Sequence, residues 1–242
     1  EQTLITNGYS FFPAKFSTYA YEYLMTKSSA VFRGYGISFL VTIVGTLCNL
    51  LITTLYAYPL SRRELPGRGI FAFYLFFTML FSGGLVPSYL MWTQTFHIRN
   101  TIFALLIPNL LLSAFNVIMM RTYFTSNIPD AVVEAARVDG ASEFRILFGI
   151  VLPMALPIIA TIGLLVGLAY WNDWYNSMLF ITNEDMFMLQ YYLQRVLGSA
   201  EAMRIVAEKS GIALPTVPLE SMKMAMTVIA TGPIVLLYPF VQ

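Results

Sequence analysis

Charged residues are scarce in this chain, and histidine and cysteine are almost absent. Lys, Arg, Asp and Glu make up 11% of the 242 residues, whereas 57% are hydrophobic. An average soluble domain carries roughly a quarter charged residues, so the composition indicates a membrane protein. The net charge of +1 gives no sign of nucleic acid or of an acidic substrate field as a partner.

The scarcity of reactive side chains excludes several kinds of site. His97 is the one histidine, which excludes most histidine-based metal sites and any Ser-His or Cys-His nucleophile pair within this chain. Cys48 is the one cysteine and cannot form an intramolecular disulfide. The sequence also lacks the glycine-rich loop, G-x-x-x-x-G-K-S/T, that cradles nucleotide phosphates. We therefore expect no catalytic residue, no metal and no bound cofactor in this chain.

Long apolar stretches dominate the sequence instead. A hydrocarbon core about 30 Å thick is crossed by about 20 apolar residues, and such a span must be helical because an open sheet would leave backbone polar groups unpaired in lipid. We predict an all-α membrane protein with five spans. The charge-free stretches that meet or approach this length are residues 34–61, 69–96, 100–120, 146–172 and 224–242.

Arginines in the connections orient these spans. Arg62, Arg63 and Arg68 lie between the first two, and cytoplasmic loops concentrate Lys and Arg. Counting spans from there places residues 121–145 on the cytoplasmic side as well. The same count places residues 1–33 and 173–223 outside. Because the chain opens on Glu rather than Met and stops inside an apolar run, we expect a longer protein, with a preceding span that brings the total to six.

Two of the predicted spans carry polar residues at helical spacing. A stripe on the first span comprises Thr42, Thr46, Asn49, Thr53 and Tyr56. A second stripe, on the third span, comprises Asn109, Ser113 and Asn116. Such residues either form hydrogen bonds between helices in lipid or line a polar pathway, and the sequence favours neither. The candidate pathway residues here are Thr46, Asn49, Thr53, Asn109, Ser113 and Asn116.

Aromatic and polar side chains meet at the outer end of the fourth span. Tyr170, Trp171, Trp174 and Tyr175 are typical of an aromatic belt at the membrane surface. The alternative is a sugar-contacting mouth, which adds Asn172, Asp173 and Trp174 to the candidate pathway. Beyond them we predict two short external helices, over 186–197 and 200–209, with a break at Gly198.

The cytoplasmic connection has the signals of a short helix, a turn and a second helix. Pro129 and Asp130 favour a helix start, and we expect the helix to run to about Asp139. Gly140 suits a positive φ at its end, and Ser142 can cap a second helix that continues into the fourth span. We interpret this element as a lever, with a rigid connection that converts a push at the surface into tilt of the span behind it.

This connection resembles the EAA signature of binding-protein-dependent ABC importer permeases. Glu134-Ala135-Ala136, Gly140, Ile150 and Leu152-Pro153 match it in residues and spacing. We call residues 134–153 the EAA segment. Beyond it, the chain is similar to maltose-type second permeases that serve oligosaccharides or polysaccharides.

The resemblance implies a type I ABC importer transmembrane domain in the bacterial cytoplasmic membrane, which moves a carbohydrate by alternating access. It also implies a homologous second permease, two ATP-binding subunits that hold ATP and Mg, and a solute-binding protein outside. No nucleic acid is expected, and lipid surrounds the spans. The expected ATPase-coupling residues are Glu134, Ala135, Ala136, Asp139, Gly140, Ile150, Leu152 and Pro153. The alternatives are an ABC permease for a non-sugar solute and a secondary transporter, the latter disfavoured because the spans lack charge.

Overall fold

The computed structural model describes residues 18, 20–22, 28–210 and 219–241. These ranges contain helices and no strand, as predicted for the fold class. Most of the predicted external segment 1–33, and residues 211–218 of the predicted external loop, lie outside the described residues.

The helices are named here in chain order. Those that precede the cytoplasmic connection are α1 Ser28–Ser61, α2 Arg68–Leu80, α3 Leu85–Leu90 with a π-helical turn Met91–Thr95, α4 Phe103–Leu106 and α5 Ala114–Asn127. The connection and the helix behind it contain α6 Asp130–Val138, α7 Glu143–Ile146, a π-helical turn Leu147–Val151, α8 Leu152–Met154 and α9 Leu156–Trp171. The remaining helices are α10 Tyr175–Phe180, a 3-10 turn Glu184–Met186, α11 Leu189–Ser210 and α12 Leu219–Val241.

By length and apolar composition, α1 can cross a membrane alone, and two bent helix pairs can each supply a further span. The first pair, within predicted span 69–96, joins α2 to α3 and its π-helical turn at an angle of 112°. The bend falls at Gly83-Gly84, where Gly84 has a φ of 85° that a side chain would disfavour. Residues 224–241 lie within α12. The assignment of the five stretches as spans stays a prediction.

The third predicted span is not the continuous helix that its apolar composition suggested. Helix α4 ends at Leu106 and α5 begins at Ala114, so residues 107–113 are irregular. Pro108 causes the break, since it lacks an amide proton and its ring clashes with the carbonyl four residues earlier. Asn109 then takes a φ of 65°, which asparagine tolerates better than most residues.

The second helix, predicted to continue from Ser142 into the fourth span, bends within that span. The rigidity of the connection stays a prediction. The run Glu143–Met154 and α9 meet at an angle of 83°. Pro153 and Pro157 flank this corner and cannot donate the hydrogen bonds that would continue a straight helix. The chain therefore bends sharply between α8 and α9 instead of forming one straight helix, and we call this bend the elbow.

The described residues fall into two compact units. Residues 40–171 form one unit, and the described parts of 1–39 and 172–242 form the other. In the first, α5 packs against α2 and α9. Its fully buried side chains include Leu105, Met120, Phe124, Ile146 and Ile162.

In the second unit, α11 packs against α10 and α12. The amide of Leu189, at the start of α11, donates to Ser38 Oγ at 2.9 Å, and the hydroxyl of Tyr35 donates to the Ile229 carbonyl. The predicted break at Gly198 is wrong: α11 passes through it without interruption. Helix continuity there costs only about 1 kcal/mol relative to alanine, which the flanking helix formers offset.

Candidate functional site

Helix α6, which carries the first residues of the EAA segment, has well-formed ends. It starts directly after Pro129, with Asp130 in its first turn and Arg137 in its last, so both charges complement the helix dipole. At the C-terminal end, the Gly140 amide donates to the Arg137 carbonyl at 2.9 Å and the Ala141 amide to the Ala136 carbonyl at 3.0 Å. This Schellman pattern requires the left-handed conformation that Gly140 adopts, with a φ of 79°. The predicted turn at Gly140 is confirmed.

A capped second helix follows the turn. Ser142 Oγ accepts a hydrogen bond from the Arg145 amide at 3.4 Å, as the predicted cap requires. Helix α7 then leads through a π-helical turn to Leu152-Pro153. The short α6 and its sharp turn therefore present a defined corner of the chain.

The exposed face of this corner carries most of the predicted coupling residues. Glu134, Ala135, Asp139 and Gly140 are exposed. Ala136 is only 9% exposed and packs inward with Val133. Ala136 therefore packs within this chain, whereas Ala135 faces outward, and the assignment of both as ATPase-coupling residues stays a prediction.

Apolar side chains project beside these residues. Val138 is 87% exposed, Phe144 69% and Phe148 49%. The last three predicted coupling residues lie on the following π-helical turn and α8. Of these, Ile150 and Leu152 are half-buried and Pro153 is exposed. An exposed, mixed polar and apolar corner of this kind is typical of a docking surface.

A charge network, absent from the sequence predictions, joins α6 to the end of α1. Arg137 Nε donates to Glu143 Oε1 at 2.8 Å, and its Nη1 donates to Glu64 Oε2 at 2.5 Å. The Tyr58 hydroxyl donates to the other Glu143 oxygen at 2.6 Å. Hydrogen bonds from Tyr58 and Arg137 lower the pKa of Glu143, although partial burial opposes them. The carboxylates of Glu143 and Glu64 in turn raise the pKa of Arg137.

Arg62 extends this network. Its guanidinium lies over the Tyr58 ring, 5.0 Å from the centroid, and its Nη1 lies 3.7 Å from Asp130 Oδ1. Its Nε and Nη2 are buried without a hydrogen-bond partner among the described residues. We call Tyr58, Arg62, Glu64, Arg137 and Glu143 the charge network. All five line one cavity of about 350 Å³ whose other walls are mostly apolar, with Leu55, Pro59, Phe144 and Leu147 among them.

The polar stripe on α1 is partly committed to hydrogen bonds within the unit. Asn49 Nδ2 donates to the Leu110 carbonyl at 2.6 Å, and Thr53 Oγ1 donates to Asn49 Oδ1 at 3.2 Å. Leu110 lies in the irregular stretch after Pro108, so Asn49 pairs with a carbonyl next to the helix break. The Tyr170 hydroxyl does the same for Leu106, donating to its carbonyl at 2.8 Å.

The N-terminal part of the polar stripe on α1 lacks such bonds. The hydroxyls of Thr42 and Thr46 are buried without a partner among the described residues. On the third predicted span, the helical-face argument fails for Asn109 and Ser113, because both precede α5 and lie in irregular backbone. Asn116 lies in α5 and is 8% exposed, whereas Asn109 is exposed.

At the other predicted end of the pathway, Asp173 organises a turn. Its Oδ1 accepts from the amides of Tyr175 and Asn176 at 3.0 and 3.1 Å. Burial raises the pKa of Asp173, and hydrogen bonds from Asn176 and Tyr175 partly offset that rise. Trp174 and Tyr175 meet edge to face at 6.0 Å and are each 37% exposed. Asn172 accepts a hydrogen bond from Gln190 at 3.4 Å.

Comparison with known families and structures adds independent evidence. Residues 67–242 match the family described as "Binding-protein-dependent transport system inner membrane component". In solved structures, the chain is similar to one described as a bacterial ABC transporter involved in the import of the acidic polysaccharide alginate. The TM-score is 0.83 at 29% identity, over 99% of this chain and 84% of that one.

Two relatives from Bacillus subtilis (strain 168) match along the entire chain. The polygalacturonan/rhamnogalacturonan transport system permease protein YtcP is 34% identical over 100% of this chain and 82% of its own length. Protein LplC is also 34% identical, over 100% of this chain and 80% of its own length. The melibiose/raffinose/stachyose import permease protein MelC is 29% identical over 86% of this chain and 76% of its own length.

Proposed function

This chain belongs to the family of binding-protein-dependent transport system inner membrane components, and we propose that the cargo of its importer is an oligosaccharide or polysaccharide. As a member, it is a permease subunit of an ABC importer in the cytoplasmic membrane. The energy for transport through such a subunit comes from ATP hydrolysis by a separate subunit. The absence of a phosphate-binding loop from this sequence agrees with that division of roles.

The observation that carries the carbohydrate proposal is similarity, along the entire chain or most of it, to permeases with named sugar cargoes. The relatives named above for polygalacturonan/rhamnogalacturonan and for melibiose/raffinose/stachyose are both carbohydrate permeases. The similar solved structure belongs to an importer of alginate. This agreement favours a carbohydrate over a non-sugar solute, and family membership disfavours a secondary transporter.

We place this chain in an assembly with a second permease, two ATP-binding subunits and an external solute-binding protein. ATP and Mg bind to the ATP-binding subunits in this proposal. The corner formed by α6 and its turn supports an intracellular docking role, because Glu134, Ala135 and Val138 face away from the chain. Asp139 and Gly140 complete the corner. The Gly140 turn fixes the direction in which α7 leaves it.

Fewer residues remain candidates for the solute pathway than the sequence suggested. Asn49 and Thr53 are buried and bonded to each other, so they favour helix packing over solute contact. Asn109, Asn172 and Trp174 are exposed and stay the better candidates. Aromatic faces and amides are groups that can bind sugar hydroxyls and ring faces.

Uptake by the reconstituted importer tests this proposal. The chain is co-expressed with its second permease and ATP-binding subunit, placed in proteoliposomes, and supplied with the binding protein. We expect ATP-dependent uptake of labelled oligogalacturonides or of a neutral oligosaccharide such as raffinose, together with stimulated ATP hydrolysis. An amino acid and a dipeptide serve as control solutes. Stimulation by these controls but by neither sugar would contradict the carbohydrate proposal.

A further inference from the structure

We call α6 and its turn at Gly140 the docking corner. We propose that Arg137 is a positioning residue that ties the docking corner to the cytoplasmic end of α1, so that displacement of α6 also moves α1. This inference rests on the proposed docking of an ATP-binding subunit at α6. It adds a second route for motion of α6, through side chains to α1. The EAA segment itself connects α6 only to the helices that follow it in the chain, α7 to α9.

The position of Arg137 permits this role. It lies in the last turn of α6, one residue before the highly exposed Val138. From there its guanidinium reaches Glu64, 73 residues away in the α1–α2 turn, and Glu143 at the start of α7. One planar fork with several donors can hold two carboxylates in fixed directions, which an ammonium cannot do as well. Arg137 therefore joins α6 both to α7, which follows it in the chain, and to the distant α1–α2 turn.

Tyr58 carries the connection into the body of α1. It is 4% exposed and lies about one turn from the end of that helix. Its hydroxyl donates to Glu143, while its ring lies beneath Arg62. Because a buried aromatic side chain cannot shift independently of its helix, force on Glu143 is transmitted to α1.

The elbow between α8 and α9 favours a second route. A straight helix from α7 through α9 would transmit motion of α6 directly to α9, but the run Glu143–Met154 meets α9 at an angle of 83°. Because Pro153 and Pro157 remove backbone hydrogen bonds at this corner, it is less constrained than a continuous helix. The network provides a shorter, side-chain route to α1 that does not pass through the elbow.

The ion pairs of Arg137 contribute little to folding stability. The side chains of Glu64 and Glu143 are 70% and 53% exposed, and ion pairs at that exposure contribute little to stability. An alternative role for these residues is to bind an anion in the cavity through Arg62. This role is disfavoured because the two Arg62 nitrogens without a hydrogen-bond partner among the described residues are buried and not accessible from the cavity. Three carboxylates, those of Glu64, Asp130 and Glu143, also lie nearby.

The test compares Arg137→Met with Arg63→Met in the complete reconstituted importer. Arg63 lies on the same predicted side of the membrane, outside the EAA segment and the charge network. It is exposed and its side chain has no ion pair among the described residues, and its replacement removes the same charge. We measure solute molecules transported per ATP hydrolysed, with assembly and the unfolding midpoint recorded for each variant. Arg137→Met is expected to lower this ratio about tenfold, within the range typical of coupling between sites. Arg63→Met is expected to leave it unchanged.

Two further variants separate transmission from folding. Arg137→Lys retains the charge but not the planar fork and is expected to restore only part of the transport ratio. Arg137→Met combined with Glu143→Gln is expected to be no worse than Arg137→Met alone. An unchanged ratio in Arg137→Met, or a loss confined to assembly and unfolding midpoint, would overturn the inference. A wild-type importer without ATP-driven uptake would instead contradict the proposed function, so the two failures are distinguishable.

Discussion

The tip of the Tyr170 ring lies so close to Gly45 that a Cβ at that glycine would be 2.5 Å from Tyr170 Cζ. The ring cannot retreat easily, because its hydroxyl is bonded to the Leu106 carbonyl. This contact lets α9 approach α1 closely and brings a hydrogen-bond donor to the helix break that Pro108 creates. Small residues at helix contacts allow this kind of approach.

Gly45→Ala should therefore destabilise the permease. Overpacking a tight contact typically costs about 1–3 kcal/mol, and we expect a lower thermal unfolding midpoint for the detergent-purified protein. The matched control is Gly36→Ala in the same helix, where a Cβ would meet nothing within 4 Å. Since alanine is the better helix former, the control should be neutral or slightly stabilising. Equal midpoints for the two variants would show that the contact is not tight.

Gly140→Ala should be destabilising for a different reason. A Cβ there meets open space, but the φ of 79° is unfavourable for a side chain, at a cost of about 1–2 kcal/mol. Gly149→Ala is the control, because it also has open space and its φ is not positive. Gly140→Asn should lie between Gly140→Ala and wild type. If Gly149→Ala were as destabilising as Gly140→Ala in a denaturation assay, backbone strain would not be the cause.

Asn49→Ala should cost about 1–3 kcal/mol, since it leaves the Leu110 carbonyl and the Thr53 hydroxyl without a bond in the interior. Thr42→Val should be close to neutral or stabilising, because it removes a buried hydroxyl with no partner among the described residues. Unfolding midpoints measure both. A neutral Asn49→Ala together with a destabilising Thr42→Val would reverse this assignment of packing and pathway roles.

Glu143 should give the permease a pH-dependent contribution to stability. Its pKa in the folded state lies below the ordinary value of 4.5, chiefly because the Tyr58 hydroxyl donates to it. A lowered pKa stabilises the folded state above the unfolded-state pKa, and this contribution is lost as pH falls through the folded-state value. The unfolding midpoint of wild type should exceed that of Glu143→Gln at pH 7, and the difference should shrink progressively below pH about 4.5. A difference that grows on acidification would refute the assignment.

Local chemistry was predictable from the sequence where one residue dictates one conformation. Gly140 and Ser142 behave as the turn and cap rules require, and the helical fold class followed from composition. The breaks were harder. Pro108 interrupts a stretch whose hydropathy is uniform, and proline in membrane helices is common enough that its presence alone does not predict a break.

Contacts between segments distant in sequence were the least predictable. Arg137 and Glu64 are 73 residues apart, and nothing in the spacing of either residue points to the other. The burial of Ala136 likewise depends on which face of α6 meets the rest of the unit.

Photo-cross-linking from the docking corner tests most directly whether an ATP-binding subunit docks at α6. A benzophenone is attached to Ala135→Cys in a Cys48→Ser background, within an importer that retains uptake, and the products are compared with those from Met203→Cys on α11. Both positions are exposed, but only Ala135 is predicted to be cytoplasmic. We expect a cross-link from Ala135→Cys to the ATP-binding subunit, changed in yield by ATP, and none from Met203→Cys. Cross-linking to that subunit from Met203→Cys, with none from Ala135→Cys, would contradict docking at α6.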